Sequence, residues 1–386
     1  MDASLVEPIL ELYGGLALRP PAKQYTVLAS FFLTSRATGL FKIVSFATGT
    51  KCLPSNKLPA DGEALHDSHA EVLARRGAVR WFLEEVGRCR STAYQSDWIH
   101  ICDDTRYAFK KDARLMLYVS TVPCGDASMR FLSSSQDEEM ATLKDSAVRP
   151  PTDLALATRG RDNYALWGVL RTKPGRADAP STASMSCSDK IAAWSFLGIQ
   201  GALGSRFLHP MYIDGVIIGE VPLELQSVVK EDCERALWGR LRGARDCGEY
   251  ALHQPTIQFT ALPFIHSRSL IPQVAGSCNE SLWWIADSRK ALEVLINGFK
   301  RGIAAKHRQR EQSRPQASRK SLLHLYQETL GACGLAPEPA SSTYQDVKQS
   351  IVEFQAAKQS LIGESGIFSG WIRGSLTGSE ADDRPP

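Results

Sequence analysis

The chain has no apolar run long enough to cross a bilayer as a helix, so no membrane span is expected. Its first residues, Met1-Asp2-Ala3-Ser4-Leu5-Val6-Glu7, are acidic and lack the basic start of a secretory leader. An intracellular protein is expected. Nine cysteines, an odd and scattered set, do not make a disulfide framework; in a reducing compartment they serve as thiols or ligands. Net charge is only +3 over 386 residues, so overall charge selects no polyanionic partner and only its distribution can. Internal repeats and a clear linker are both missing. What is present, 43% hydrophobic and 23% charged residues, suits a globular chain with a large core.

The pattern along the chain predicts strands alternating with helices, hence α/β layers. Residues 5–13 read as a short helix. Residues 25–33 and 41–47 read as two strands around a glycine-bearing turn, and 69–87 as a helix with Asp67 or Ser68 as N-cap. A buried strand at 115–120 ends at Pro123, with a helix starting near Cys124. Residues 133–185, rich in Ser, Pro and charge, read as mostly loop. Another helix starts at Cys187, followed by a strand at 212–219 and a helix at 222–238. A strand pair follows at 281–285 and 291–295, then helices at 321–331 and 343–362. Residues 377–386 read as a disordered tail.

Three short strings carry chemistry: His69-Ala70-Glu71, Pro123-Cys124-Gly125 and Ser186-Cys187-Ser188-Asp189-Lys190-Ile191. One imidazole and two thiolates, each at a helix start, supply three ligands to a tetrahedral zinc and leave the fourth position to water. A helix N-terminus favours the thiolate that zinc requires. Glu71, two residues past the imidazole, is placed to handle the proton of that water. Zinc deaminases pair His-x-Glu with Pro-Cys-x-x-Cys. Here Gly125, Asp126 and Ala127 follow Cys124, so the third ligand must be distant. Cys187 is the best-placed candidate and Cys102 its competitor. Each string alone is common; their shared context at helix starts gives them weight.

These strings, with Thr50-Lys51-Cys52, His66-Asp67-Ser68, Arg171-Thr172-Lys173-Pro174-Gly175-Arg176 and Gly198-Ile199-Gln200-Gly201-Ala202-Leu203, resemble the eukaryotic tRNA-specific adenosine deaminases over about residues 20–375. The same domain occurs in the adenosine deaminases acting on double-stranded RNA. The resemblance implies a cytidine-deaminase-like layered sheet flanked by helices, in one domain over residues 1–376. It implies zinc on His69, Cys124 and Cys187, Glu71 as proton shuttle, and Thr50 and Lys51 at the nucleotide. The implied reaction is hydrolysis of adenosine to inosine in tRNA, at the adenosine 3′ of the anticodon of alanine tRNA. No DNA or membrane partner is expected, and the nucleus is slightly favoured over the cytoplasm.

Arg75 and Arg76 lie one turn past Glu71, where buried cations need counter-charge. In the double-stranded-RNA members, matching residues surround a buried inositol hexakisphosphate beneath C-terminal helices. The resemblance implies the same ligand here, on Arg75, Arg76, Lys190, Trp194, Gln200, Lys300, Tyr344, Lys348, Lys358, Trp371 and Arg373. Ala193 stands where that motif commonly has Arg, and Phe354 where it has a second Tyr.

Two further basic sets are candidates for gripping tRNA phosphates. The segment 300–320 carries eight Lys/Arg against Glu311. Arg159, Arg161, Arg171, Lys173 and Arg176 form the second set. For each, a merely solvated loop is the competing reading. An editing enzyme for messenger RNA with the same domain is an alternative function, as is a non-catalytic RNA-binding member. The first expects separate double-stranded-RNA-binding domains, and the second expects a lost ligand or a lost Glu71. A free-nucleoside deaminase expects the nearby second cysteine that is missing here.

Overall fold

The computed structural model describes residues 3–54, 57, 63–134, 157–160, 164–173, 182–308 and 310–372. Ten strands and nine helices suffice to place the site. The strands are β1 (Leu28–Ser35), β2 (Phe41–Thr48), β3 (Thr50–Cys52), β4 (Asp67–His69) and β5 (Ala113–Val119). They continue with β6 (Gly215–Ile218), β7 (Thr256–Phe259), β8 (Glu280–Ile285), β9 (Leu292–Ile296) and β10 (Phe299–Lys300). The helices are α1 (Ala3–Gly15), α2 (Ala70–Cys89), α3 (Met129–Ser133), α4 (Cys187–Leu197) and α5 (Gly201–Ser205). After them come α6 (Gln226–Leu237), α7 (Arg319–Ala332), α8 (Tyr344–Ser350) and α9 (Val352–Ile362).

Eight of the strands form one mixed sheet in the order β7-β6-β5-β1-β2-β8-β9-β10. β5, β6 and β7 run parallel, and the remaining pairs are antiparallel. Both faces are covered. Side chains alternate across a strand with period two, so Leu115, Leu117 and Val119 join the core under α2 and α4. Met116 and Tyr118 join a second core with Val6, Ile9 and Tyr13 of α1. This is the layered α/β arrangement that the strand–helix alternation implies.

α2 is docked closely because the sequence leaves no side chain at Gly77. A Cβ there would lie 2.7 Å from the Ser45 Cβ and 2.9 Å from the Trp283 Nε1. The gap lets Ser45 Oγ donate to the Ala74 carbonyl at 2.7 Å and Trp283 Nε1 to the Leu73 carbonyl at 2.9 Å. The first turn of α2, with Glu71, is thereby fixed against the sheet.

The expected strands and helices fall near their places, with two adjustments. The 212–219 strand is shorter, Gly215–Ile218. The expected helix over 343–362 is two helices, α8 and α9, broken at Ile351. Thr343 opens α8 with a capping box to Asp346. Gln355 Nε2 donates to the Lys348 carbonyl at 2.5 Å, satisfying a group the break leaves without a helical partner. Tyr344 and Lys348 therefore lie on a different helix from Phe354 and Lys358. The expected tail, 377–386, lies outside the described residues.

Candidate metal centre and active site

The starts of α2 and α4 meet the turn after β5. His69 closes β4 and is the N-cap of α2. Cys124 follows β5, and Cys187 is the first residue of α4. The Cys187 N–H donates to Cys124 Sγ at 3.3 Å, placing one sulfur on the N-terminus of the helix that carries the other. His69 and Cys124 are hydrogen-bonded, as are Cys124 and Cys187. Cys187 and Glu71 are buried; His69 and Cys124 are partly exposed, so the site opens on their side. Cys102 stays away on a hairpin turn, near His100.

Gly125 makes the junction of the two cysteine turns possible. Its φ is +106°, and a Cβ would sit 2.1 Å from Ser186 Oγ. In that space the Ser188 N–H and Oγ both reach the Cys124 carbonyl at 3.0 Å. Ser186 Oγ caps α4 by accepting the Asp189 N–H at 3.2 Å.

The hydrogen bond from Cys187 pulls Cys124 well below the usual thiol range, while burial pushes Cys187 well above it. Burial raises the Glu71 carboxyl, and the Cys124 sulfur adds to the rise. A carboxyl so placed holds a proton more readily than an exposed one. Among the described residues no three His, Cys, Asp or Glu side chains are spaced to hold a metal ion. The chemistry of the donor set fits zinc: one imidazole and one further thiol on either side of Cys124, with an acid beside it.

Asp67 is the electrostatic hub, and the sequence assigned it only a capping role. Its Oδ1 bonds His69 Nδ1 at 2.9 Å and accepts the His69 N–H at 3.0 Å. The Nδ1 contact orients the ring so that Nε2 is the free donor atom. Its Oδ2 accepts Lys173 and Ser184 Oγ, each at 2.8 Å, and also Lys190. Burial opposes its charge, but Lys173 and Lys190 hold it well below the ordinary carboxylate range. Lys173 Nζ also lies 3.2 Å from Cys187 Sγ.

These contacts overturn one expectation. Arg171 and Lys173 are buried and cannot grip tRNA phosphates. Arg171 donates to the carbonyls of Gly160 at 3.1 Å and Leu166 at 2.6 Å. Lys173 faces the buried carboxylate of Asp67, which the residue-type count could not reveal. The Arg159 side chain, Arg161 and Arg176 lie outside the described residues.

Thr50 and Lys51 lie on β3, opposite His69 and Ser68. Thr50 Oγ1 is buried with no hydrogen-bond partner among the described residues, as a hydroxyl reserved for a ligand would be.

Behind α2, cations face one another. Arg75 lies over the Trp194 ring, 5.2 Å from its centroid, and its buried Nε has no partner among the described residues. Burial and neighbouring Arg76 bring Arg75 down to about 10. Burial lowers Lys348, and Arg319, Arg75 and Arg76 press it further, against a hydrogen bond to Lys358. Tyr344 stands beside Arg75 and Arg76. Arg319, counted only in the basic run, belongs here because it opens α7 beside them. Among the described residues no carboxylate forms an ion pair with Arg75, Arg76, Arg319 or Lys348. The cluster fits a polyanion.

Other expected members of this cluster are engaged elsewhere. Lys300 pairs with Glu293 at 2.9 Å, and Lys190 is held by Asp67. The Gln200 amide donates to the Leu197 carbonyl at 2.8 Å and accepts the Met211 N–H at 3.0 Å. Trp371 stacks on Phe368, with centroids 6.0 Å apart. Arg373 lies outside the described residues. In the 300–320 run, Arg301 pairs with Glu280, while Arg314 and Lys320 share Glu63, so with Lys300 half of its eight cations are paired within the chain.

The layered sheet and the imidazole–sulfur–carboxyl cluster at its end define a deaminase class. The chain belongs to the adenosine-deaminase (editase) family: the family's domain matches residues 45–375. It is an adenosine deaminase. It is 33% identical over 313 residues to the tRNA-specific adenosine deaminase 1 of Schizosaccharomyces pombe, covering 78% of this chain and 77% of that one. It is 29% identical to the Saccharomyces cerevisiae protein of the same name, over 92% and 87% of the two chains. A Drosophila melanogaster double-stranded RNA-specific editase is 31% identical over 52% of this chain and 29% of its own. No described helix is long and apolar enough to cross a membrane.

Proposed function

We propose that this chain is a zinc-dependent tRNA adenosine deaminase, converting the adenosine 3′ of the anticodon of alanine tRNA to inosine. The observation that carries the reading is that Cys124 has the Cys187 N–H on its sulfur, His69 as a neighbour and buried Glu71 beside it. Relatives covering most of the chain bear tRNA-specific names, which supports the substrate class.

His69, Cys124 and Cys187 would hold the zinc. When bound, zinc supplies a Lewis acid that brings the pKa of a water toward neutrality. Glu71 takes one proton from the attacking water and gives it to N1 of the purine, then takes the remaining proton of the hydroxyl added at C6 and gives it to the departing amine. Water and adenosine thus give inosine and ammonia. A buried carboxyl suits this shuttle because its affinity for the proton is raised. Asp67 fixes the tautomer of His69, and Lys173 lies on the Cys187 sulfur to offset thiolate charge. Thr50 and Lys51 are the substrate contacts. An anticodon loop offers its base unstacked, which lowers the cost of reaching so enclosed a site.

The cation cluster is proposed to hold inositol hexakisphosphate. Its supporting observation is the orphaned Arg75 Nε among cations with no carboxylate. Arg75, Arg76, Arg319, Lys348 and Lys358 are the assigned contacts.

The test is to incubate the purified protein with transcribed alanine tRNA and sequence the product, since inosine reads as guanosine. Conversion at the nucleotide 3′ of the anticodon is expected. Conversion only in a long duplex RNA, or only of free adenosine, would overturn the tRNA assignment.

A further inference from the structure

Two buried aspartates stand in the same relation to the two sulfurs. Asp126 lies two residues after Cys124, and Asp189 two residues after Cys187; both are fully buried. Each is met by one arginine from the α6 region. Arg235 Nε reaches Asp126 Oδ2 at 3.2 Å, and its Nη2 reaches the Asp126 carbonyl at 3.1 Å. Arg240, in the turn after α6, reaches Asp189 Oδ1 at 2.5 Å. Each aspartate also accepts a backbone N–H from one short segment: Gly168 to Asp126 at 2.8 Å, and Arg171 to Asp189 at 2.9 Å. Arg240 closes the frame by donating to the Val169 carbonyl at 3.1 Å.

We infer that Arg235 and Arg240 are positioning residues for the metal, setting the two cysteine turns at the separation and charge that two zinc thiolates need. The inference rests on the zinc reading above. Its physical basis is twofold. A buried carboxylate near a thiolate repels it unless a cation compensates the charge. A guanidinium fork also fixes direction, which a single ammonium does not. Here Arg235 grips both a carboxylate and a carbonyl of the Cys124 turn. Arg240 ties the Cys187 turn to the segment that also serves Asp126. The Ser188 bonds to the Cys124 carbonyl join the two turns to each other, whereas the arginines fix the pair to α6.

Arg130 supplies the control. It lies over the same Trp167 ring as Arg235 and shares Asp232 of α6 with it, yet it has no contact with Asp126 or Asp189 among its bonds to described residues.

The experiment measures release of zinc from the holoprotein to excess chromogenic chelator, in wild type, R235K, R240K, R235K/R240K and R130K. The double variant should release zinc at least about tenfold faster, as loss of a ligand-orienting partner does elsewhere. The single variants should fall between, and R130K should match wild type. The cobalt-loaded double variant should show shifted thiolate-to-metal absorption while its far-ultraviolet circular dichroism is unchanged. A wild-type release rate in the double variant would overturn the inference, and so would equal acceleration by R130K. Should the double variant not fold, the two singles decide by the same criterion. A wild-type protein without stoichiometric zinc sinks the metal reading itself, which is visible before any variant is compared.

Discussion

Two buried charge clusters flank the first turns of α2, and they are built on opposite plans. In front, opposite charges close on each other: Asp67 with Lys173 and Lys190, Asp126 with Arg235, Asp189 with Arg240. Behind, Arg75, Arg76, Arg319 and Lys348 face like charges. Burying a charge costs several kcal/mol unless a partner compensates it. The front cluster meets that cost from within the chain. The rear cluster has no carboxylate in an ion pair with it among the described residues, and on the proposal above an anion from outside the chain offsets its charge.

The largest effect that sharpens the contrast belongs to the front. Glu71→Gln should lower kcat by roughly 10²–10⁴-fold, the range that general acid–base catalysis supplies, with zinc content retained by metal analysis. Retained turnover would place the proton shuttle elsewhere.

The second effect is pH dependence at the rear. Lys348 loses protons more readily folded than unfolded, because burial and its neighbours disfavour its charge. Between its folded value and the ordinary lysine value of 10.5, the unfolded chain binds more protons. Protein stripped of polyanion should therefore become more stable as pH rises toward that value. With a polyanion bound the amine is held charged, and stability should fall with rising pH instead. Chemical denaturation across alkaline pH, with and without added inositol hexakisphosphate, reads the two slopes. Identical slopes would break the contrast between the clusters.

The smallest effect comes from Lys300→Ala. Its partner Glu293 is buried, so removing the lysine leaves a carboxylate without its cation and should cost about 1–3 kcal/mol. Phosphate analysis of the purified variant should match wild type. A loss of bound phosphate would return Lys300 to the rear cluster.

The unbroken apolar run at 115–119 and the apolar rhythm after residue 69 made the sheet and α2 readable from residues alone. His69 and Cys187 were readable because each sits at a helix start, and Cys124 because it follows a strand end marked by Pro123, although the helix expected at Cys124 begins only at Asp126 as a 3-10 turn. Asp67, Arg235 and Arg240 were not, because their roles arise only when segments more than a hundred, or some fifty, residues apart are brought together. Arg171 and Lys173 looked like surface charge for the same reason: residue type alone does not distinguish a solvated cation from one buried against carbonyls, as Arg171 is, or a carboxylate, as Lys173 is. The break at Ile351 was hidden inside a continuous helical rhythm.

Zinc-edge X-ray absorption on the purified protein tests the central claim most directly. The account predicts one zinc per chain with two sulfurs at about 2.3 Å and nitrogen or oxygen neighbours at about 2.0–2.1 Å. A four-sulfur shell, or a protein active without zinc, would contradict it.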